Sequence, residues 1–400
     1  MARRRGRRIQ RCLQSHAQRG PGLPYSVLGV SLMHRQQVMK LSVIAMPLLC
    51  ISLFSHCELE DVQDVRQGII KSWAQHLIVP GFQDFADRAQ QLLVATESFC
   101  TAIDLANLEA SQNTWRDTRA AYKRLEVFAF GPHKEFPGRY GPAIDTWPAR
   151  EEDILELLNG TKEISTSLIT NGGATKRGLP ALEWFLFASP DTLLSETVSN
   201  PRRCEILLAI GEDLSLSAQG LAERWSTGEG SFLNELTDPE TAQGMYANSK
   251  ESFAEIVNRM WFTFENIQRD KLGRPLGNES NGSPQPDNLE SRFSQNAIED
   301  IRNNLSMISE LFEATDERQG LVSHPRMMER TDLIASFRNQ VNKTMQSLDD
   351  IDQPLSEAVL ENPDSVRKVI DNFGELQTLV QVDFMSTLAL TLSFNDADGD

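Results

Sequence analysis

One predicted helix carries polar and aromatic side chains whose types could do chemistry. They recur at i, i+4, i+7 and i+11 and therefore share one helix face: Trp115, Arg119, Tyr122 and Glu126. A helix face that carries Trp and Tyr is more often packed in a core than part of a site, but the acidic segments that follow it favour a ligand-binding cleft. The alternative is a packed helix whose Arg119 and Glu126 are satisfied by their neighbours.

Two further segments add acidic groups. Asp145 and Trp147 follow the first helix in IDTWP, and Glu183 lies in GLPALE, where Pro180 suits the first turn of another helix. Glu183 then either belongs to the cleft or caps its own helix. Carboxylates are hard ligands that suit ferric iron or calcium better than zinc, so Glu126, Asp145 and Glu183 are the predicted metal ligands. The predicted cleft consists of Arg119, Tyr122, Glu126, Asp145, Trp147, Gly178 and Glu183.

Common catalytic templates are missing from the sequence. It contains no HExxH, GxSxG, GxxxxGK[ST] or GxGxxG. After residue 57 the histidines are His76, His133 and His324, and none has another at helical ligand spacing, which excludes a two-histidine helical zinc site. His133 with Glu135 could supply one nitrogen and one oxygen, or could lie in a solvated loop. The ending NDADGD resembles the start of a calcium loop without its closing glutamate, and an acidic tail is the simpler interpretation.

Helices must position these groups, because apolar residues recur at intervals of three and four residues rather than at every second residue. The first stripe ends at Pro80-Gly81, a second begins at Phe82, and a longer helix ends at Gly131-Pro132. The sequence therefore predicts an all-α fold. Further stripes cover residues 181–188, 203–226, 249–269, 294–314, 329–349 and 363–392.

A stretch rich in Gly, Pro, Asn and Ser divides the chain. Residues 271–291 have the composition of a linker. The predicted domains are therefore a first helical bundle at 58–270 and a second at 292–400, packed together.

The first 57 residues differ in charge from the rest. They contain nine basic residues and no acid, so that the net charge of the 400-residue chain, -17, becomes -26 without them. Within this segment Met39-Lys40 precedes the apolar run 41–54 and then Cys57, which is how an exported bacterial lipoprotein begins. We expect Met39 to be the working start, residues 1–38 to be either an upstream misread or a disordered basic extension, and Cys57 to be lipidated. Cleavage to a soluble periplasmic protein remains the alternative.

The acidic body argues against nucleic-acid binding, because such a surface repels phosphate backbones. Beyond Cys57 the cysteines are Cys100 and Cys204. They could form a disulfide in an oxidising periplasm or stay as two buried thiols.

Together the three segments resemble the imelysin-like family of bacterial envelope lipoproteins and iron-regulated proteins. The resemblance covers roughly residues 65–400 and rests on WRDTRAAYKRLEVFAFGP, IDTWP, RPLG at 274–277 and the terminal SFNDADGD. It implies two helical bundles with a cleft between them, a periplasmic or membrane-anchored location, and a part in iron acquisition. The family's GxHxxE signature, proposed to bind metal in a peptidase, has Pro180 at its histidine position here. Proline has no side-chain donor atom, which argues against that peptidase activity.

Three functions follow. The first is a non-catalytic, exported and lipid-anchored protein of the cell envelope that acts in iron uptake or its regulation, with envelope iron-uptake proteins or a peptide as partners and iron or another cation as ligand. The second is a metal-dependent peptidase of the imelysin type. The third is an envelope scaffold that binds a peptide or protein in the cleft between the bundles.

Overall fold

A computed structural model describes residues 65–135, 139–226, 228 and 231–392. The predicted export segment, with Met39 and Cys57, and the acidic end at 393–400 lie outside the described residues. Within the described ranges the chain folds into helices and turns without any strand, which confirms the all-α fold class.

The described part of the chain begins with α-helical residues 65–73, and seventeen further α-helices, short and long, follow the first π-helical turn. In chain order they are α1 (Val79–Thr101), α2 (Leu105–Leu125), α3 (Tyr140–Ile144), α4 (Glu151–Asn159), α5 (Thr166–Thr170), α6 (Gly178–Phe187), α7 (Leu193–Ser199), α8 (Arg202–Arg224), α9 (Phe232–Thr237), α10 (Pro239–Ala242), α11 (Ser249–Asn266), α12 (Ala297–Phe312), α13 (Pro325–Met328), α14 (Thr331–Asp349), α15 (Leu355–Glu361), α16 (Pro363–Thr378) and α17 (Met385–Leu388). The π-helical turns are Ala74–Ile78, Ile267–Gly273 and Leu379–Phe384, and the 3-10 turns are Glu126–Phe128, Gly131–His133, Ala174–Lys176, Pro286–Asn288 and Leu321–Ser323.

The predicted break at Pro80-Gly81 is wrong. Helical residues 65–73 continue through the π-helical turn Ala74–Ile78 into α1 without interruption. Proline lacks an N–H group and its ring collides with the carbonyl four residues earlier, which normally kinks or ends a helix. Here the helical run includes the π-helical turn Ala74–Ile78, which ends two residues before Pro80, and π-helix occurs mostly as such single turns inside α-helices.

Helix α2 lies at the centre of the fold. It begins at Asp104, whose carboxylate accepts a hydrogen bond from the backbone N–H of Asn107 at 2.9 Å. It contacts α1, α6 and α12, so elements from both predicted bundles pack against it. Its Trp115 is fully buried and donates from Nε1 to the carbonyl of Leu179 in α6 at 3.0 Å.

The predicted linker is folded against the core. The described residues from 65 to 392 belong to one compact unit, and within 271–291 the side chains of Lys271, Leu272 and Glu290 are buried. Gly, Pro and Asn shape the turns of this segment, while a few other side chains anchor it. The division of the unit into two bundles at this segment stays a prediction.

A disulfide joins Cys100, at the end of α1, to Cys204, near the start of α8, with the two Cα atoms 5.6 Å apart. The bond fixes the ends of two long helices that pack against each other. None of the described helices has the length and apolarity needed to cross a membrane.

Candidate functional site

The predicted face of α2 is buried in the protein interior. Arg119 and Tyr122 are almost completely buried, and Glu126 follows α2 in the turn Glu126–Phe128 with its side chain 22% exposed. Lys123, one turn after Arg119, lies on the same side of the helix and is also buried. The end of α2 therefore carries two cations into the core.

Arg119 binds three carboxylates from three separate segments. Its Nη1 donates to Oδ1 of Asp145 at 3.0 Å and its Nε donates to Oδ2 of Asp300 in α12 at 2.7 Å. Its Nη2 lies 3.0 Å from Oε1 of Glu290. One guanidinium thus connects α2 to the residues after α3, to the 271–291 segment and to α12.

Lys123 is surrounded by carboxylates as well. Its Nζ donates to Oε1 of Glu290 at 2.5 Å, to Oε1 of Glu126 at 3.2 Å, and to Oδ2 of Asp145. A third cation, Lys271, donates to Oε2 of Glu126 at 2.6 Å and lies 3.1 Å from Oε2 of Glu290. We call these groups the central ion-pair cluster. It comprises Arg119, Lys123, Lys271, Glu126, Asp145, Glu290 and Asp300.

Polar neighbours complete the cluster. Asn304 in α12 donates to Oε2 of Glu126 at 2.7 Å and accepts a bond from Lys271 at 2.8 Å. Ser291 and Asn296 both donate to the carboxylate of Asp300. With hydrogen bonds as well as counter-charges, these buried carboxylates satisfy the condition under which ions are tolerated in a core.

Gly178 holds the cluster in place through its backbone. Its φ of +70° is one that L side chains rarely adopt, and a Cβ there would lie 2.3 Å from the carbonyl oxygen of Ile144. Only glycine therefore lets the start of α6 approach the residue before Asp145 so closely. Gly178 was predicted as part of a binding cleft, and the structure places it as a packing residue beside that carboxylate.

The electrostatics keep the cations charged. Burial lowers the pKa values of Arg119 and Lys123, but Asp145 and the other carboxylates outweigh it and raise both well above their ordinary values. Burial raises the pKa of Asp145, and Arg119 and Lys123 reverse that effect and hold it below its ordinary value. Glu290 is the exception, since burial dominates and raises its pKa. With its four acids ionised, the cluster carries a formal charge of about -1.

Three carboxylates of the cluster could in principle hold a metal. Oxygens of Glu126, Asp145 and Glu290 all lie within 4.8 Å of one another. However, Nζ of Lys123 binds all three, so an ammonium group lies where a cation would be coordinated. As they stand, these residues do not fit a resident metal ion, because the ammonium group of Lys123 already lies among the three carboxylates.

Glu183, the third predicted ligand, is buried apart from this triad. Its Oε1 accepts hydrogen bonds from the backbone N–H of Ser294 at 2.8 Å and from its hydroxyl at 2.7 Å. Burial raises the pKa of Glu183 to about 7, although the charge of Arg119 opposes the shift. The carboxylate thus connects α6 to the loop before α12.

The remaining candidates have other surroundings. Tyr122 is buried against Phe85, with ring centroids 5.1 Å apart, and Trp147 is partly buried before a cis peptide bond to Pro148.

His133 packs against Phe82, and burial lowers its pKa to about 3. Glu135 pairs instead with Arg224 at 2.8 Å. The histidine is therefore a neutral core residue rather than the partner of Glu135.

Sequence reasoning missed several members of the cluster. Lys123 could have been found, since it falls one turn after Arg119 on the aromatic face. Lys271 and Glu290 lie in a segment with the composition of a linker, which gives no sign of burial. Asp300 and Asn304 are one helical turn apart on α12, and no motif marks them.

Two surface cavities in the described part of the chain lie away from the cluster. One of about 550 Å³ is formed by Gln268 and residues of α16, and one of about 450 Å³ lies between α1, α5 and α8. No member of the central ion-pair cluster lines either cavity. In this conformation a substrate in these cavities would not reach the buried carboxylates.

Known proteins resemble this chain in fold and in sequence. A crystal structure of an iron-regulated protein A precursor from Parabacteroides distasonis is similar with a TM-score of 0.68 and 18% identity, over 82% of this chain and 94% of that one. An imelysin-like protein from Psychrobacter arcticum has a TM-score of 0.65 and 14% identity, over 83% of this chain and 98% of that one. At these identities the likeness concerns the fold.

The amino-acid sequence is also similar to that of a known relative. Iron-regulated protein A of Synechococcus elongatus is 28% identical over 257 residues, which are 63% of this chain and 65% of the relative. The alignment thus spans a little less than two thirds of that protein. The pattern of the imelysin family matches residues 78–381, most of the chain. The chain therefore belongs to the imelysin family.

Proposed function

We propose that this protein is an exported, non-catalytic component of the bacterial cell envelope that acts in iron uptake or its regulation. The main support for a non-catalytic role is the position of Lys123. Its ammonium group binds the carboxylates of Glu126, Asp145 and Glu290 together. A metallopeptidase needs an open coordination position for water and substrate. Here that centre is occupied by a side chain of the protein.

A second observation supports the same conclusion. Pro180 replaces the signature histidine and lies within the first turn of α6, fully enclosed by the core. The glutamate of the signature, Glu183, already accepts two hydrogen bonds from Ser294. Pro180 therefore offers no metal ligand, and one oxygen of Glu183 is already engaged by Ser294.

The iron role is drawn from the names of relatives in Synechococcus and Parabacteroides. The envelope location is drawn from the apolar run before Cys57, and the disulfide between Cys100 and Cys204 supports it, because such bonds persist in oxidising compartments. We further propose that a lipid on Cys57 attaches the protein to a membrane and that its partners are envelope proteins of iron uptake.

The test compares a strain that lacks the gene with its parent under iron limitation. We expect slower growth of the mutant only when iron is chelated, and recovery when the wild-type chain or a Glu183→Ala variant that folds is supplied. Equal growth at low iron would overturn the iron role. Purified full chain is then incubated with peptides and with ferric, zinc or calcium ions. Metal-dependent cleavage that Glu183→Ala abolishes would overturn the non-catalytic role.

A further inference from the structure

A polar groove lies between the end of α11 and α16, away from the central ion-pair cluster. It forms a surface cavity of about 550 Å³. One lining residue is apolar, and the others are Gln268, Asp371, Gly374, Glu375, Gln377 and Thr378. The groove therefore offers amides, carboxylates and a hydroxyl to a ligand from solvent.

Both helices depart from regular α geometry beside this groove. Helix α11 continues into the π-helical turn Ile267–Gly273, which contains Gln268. Helix α16 continues into the π-helical turn Leu379–Phe384, directly after Thr378. Such turns are rare and are found frequently at functional sites, so their pairing here is a second observation beside the polarity of the lining.

Gly374 keeps the floor of the groove open. It lies in the interior of α16, where glycine is a poorer helix former than alanine. A Cβ at residue 374 would lie 3.2 Å from Oε1 of Gln268, and no other side chain of the described residues, its chain neighbours aside, lies within 4 Å of that position. A longer side chain at residue 374 would therefore extend into the cavity.

Two glutamine side chains meet above this floor. Nε2 of Gln268 donates to Oε1 of Gln377 at 2.9 Å. That bond leaves Oε1 of Gln268 as an acceptor and the NH2 group of Gln377 as a donor, and neither has a hydrogen-bond partner among the described residues. Both groups remain available to a ligand in the groove.

Two carboxylates on the same face of α16 add further acceptors. Asp371 and Glu375 are exposed and one helical turn apart, and the cations of this helix, Arg367 and Lys368, pair with other acids. Hydroxyl groups donate strong hydrogen bonds to ionised carboxylates. A calcium ion needs six to eight oxygen ligands, and two carboxylates supply too few.

An aromatic side chain lies further along the same pair of helices. Trp261 precedes Gln268 by seven residues, so both lie on one face of the helix, about 10 Å apart along its axis. The indole is partly exposed, and its Nε1 donates to Oε1 of Gln381 at 3.3 Å, in the extension of α16. The same two helical elements thus flank the cavity and the indole.

We propose that this groove binds an oligosaccharide. Sugar hydroxyl groups donate and accept hydrogen bonds, which matches the carboxylates and amides of the cavity, and the C–H faces of sugar rings pack on an indole. A chain of several rings is required, because Gln268 and Trp261 are two helical turns apart. The site is separate from the central ion-pair cluster and independent of the proposed iron role.

The test is saturation-transfer NMR of the full chain with maltotriose, cellotriose and triacetylchitotriose, and with trilysine as a cationic comparison. We expect saturable binding of at least one saccharide. Gly374→Gln should abolish it, because the new side chain occupies the cavity. Trp261→Leu should weaken binding about two- to ten-fold, as expected for loss of one aromatic contact.

Ala110→Gln serves as the matched control, because it places the same side chain at an exposed position of α2. It should bind the saccharide as the wild type does. Glutamine is a better helix former than glycine, so Gly374→Gln should melt no lower than the wild type. Asp371→Asn, at an exposed position, should also weaken binding and keeps the test decisive if Gly374→Gln does not fold.

Three results would overturn the proposal. The first is absence of binding to all three saccharides. The second is unchanged binding by folded Gly374→Gln or, if that variant does not fold, by Asp371→Asn. The third is binding of trilysine but of no saccharide, in a form that Gly374→Gln abolishes, which would identify the groove as a site for cations.

Discussion

Nζ of Lys123 lies 2.5 Å from Oε1 of Glu290, and both side chains are at most 1% exposed. This contact connects the end of α2 to a loop 167 residues further along the chain. Because Glu290 also approaches Arg119 and Lys271, one loop carboxylate is shared by three cations. The loop is thereby held against α2 by charge as well as by apolar contacts.

Removal of Lys123 should therefore be strongly destabilising. Lys123→Met keeps a side chain of similar length but leaves Glu126, Asp145 and Glu290 with one cation fewer. Breaking a buried ion pair from one side costs about 3–5 kcal/mol of unfolding free energy. We expect a loss in that range in urea denaturation followed by circular dichroism.

The matched control is Lys368→Met, since Lys368 is 57% exposed and pairs with Asp350 at 2.7 Å. It should cost at most about 1 kcal/mol. Adding Glu290→Gln to Lys123→Met should cost less than the sum of the two single changes, because the carboxylate left without its cation is removed as well. Equal losses for Lys123→Met and Lys368→Met would show that the cluster does not stabilise the fold.

Periodicity predicts the helices well and the cluster only in part. The stripes at 203–226, 329–349 and 363–392 coincide with α8, α14 and the helical run from α16 to α17, because each buries one face. Arg119, Glu126 and Asp145 were found because they lie in motifs. Lys271 and Glu290 were not, since burial of a charge depends on partners brought together by the tertiary fold, which local composition does not record.

Ionisation of Glu183 should lower the free energy of unfolding as the pH rises. Its pKa is raised from an ordinary value of 4.5 to about 7, so the folded protein binds a proton that the unfolded chain releases. The stabilisation of the folded state that comes from this bound proton is present in full below about pH 4.5 and is lost as the pH rises to about 7. In Glu183→Gln the amide oxygen can still accept from Ser294, and we expect the loss to disappear. Urea denaturation from pH 5 to pH 8 measures it as the difference between wild type and variant.

Other groups titrate in the same range, but they are common to both proteins and cancel in that difference. Glu163→Gln, at an exposed site, controls for the change of net charge. Its difference from the wild type should not vary between pH 5 and pH 8. A flat difference for Glu183→Gln as well would show that Glu183 is not protonated in the folded state.

Gly178→Ala should lower the free energy of unfolding more than the same change at another glycine with positive φ. Its Cβ would lie 2.3 Å from the oxygen of Ile144, so the backbone before Asp145 has to move. Gly173 has a φ of +96° and no atom within 4 Å of its Cβ position, so Gly173→Ala isolates the conformational cost, about 1–3 kcal/mol. We expect Gly178→Ala to exceed Gly173→Ala by at least about 1 kcal/mol in urea denaturation. Equal losses of unfolding free energy in the two variants would show that the backbone near Ile144 accommodates a Cβ at residue 178 without further loss of stability.

The disulfide should contribute measurably to stability. Cys100 and Cys204 are 104 residues apart, and a closed loop of that length constrains the unfolded chain by about 2–5 kcal/mol. Reductant should therefore lower the melting temperature of the wild type and leave a Cys100→Ala/Cys204→Ala variant unchanged. Because the full chain has five cysteines, the thiols are alkylated in the unreduced, denatured wild type and located by peptide mass spectrometry. Alkylation of both Cys100 and Cys204 would contradict the bond.

Export can be tested through the size and location of the chain. Expression from Met39 in a bacterial host should give a product that is shortened to begin at or near Cys57 and that fractionates with membranes, because the apolar run before Cys57 resembles an export signal. Cys57→Ala removes the residue that would carry the lipid, so the chain should leave the membrane fraction. Mass spectrometry of the product gives its first residue, and a Cys50→Ala variant controls for loss of a cysteine inside the apolar run. A full-length product in the cytoplasm would contradict export, whereas a shortened, soluble product from the wild type would contradict only the lipid anchor.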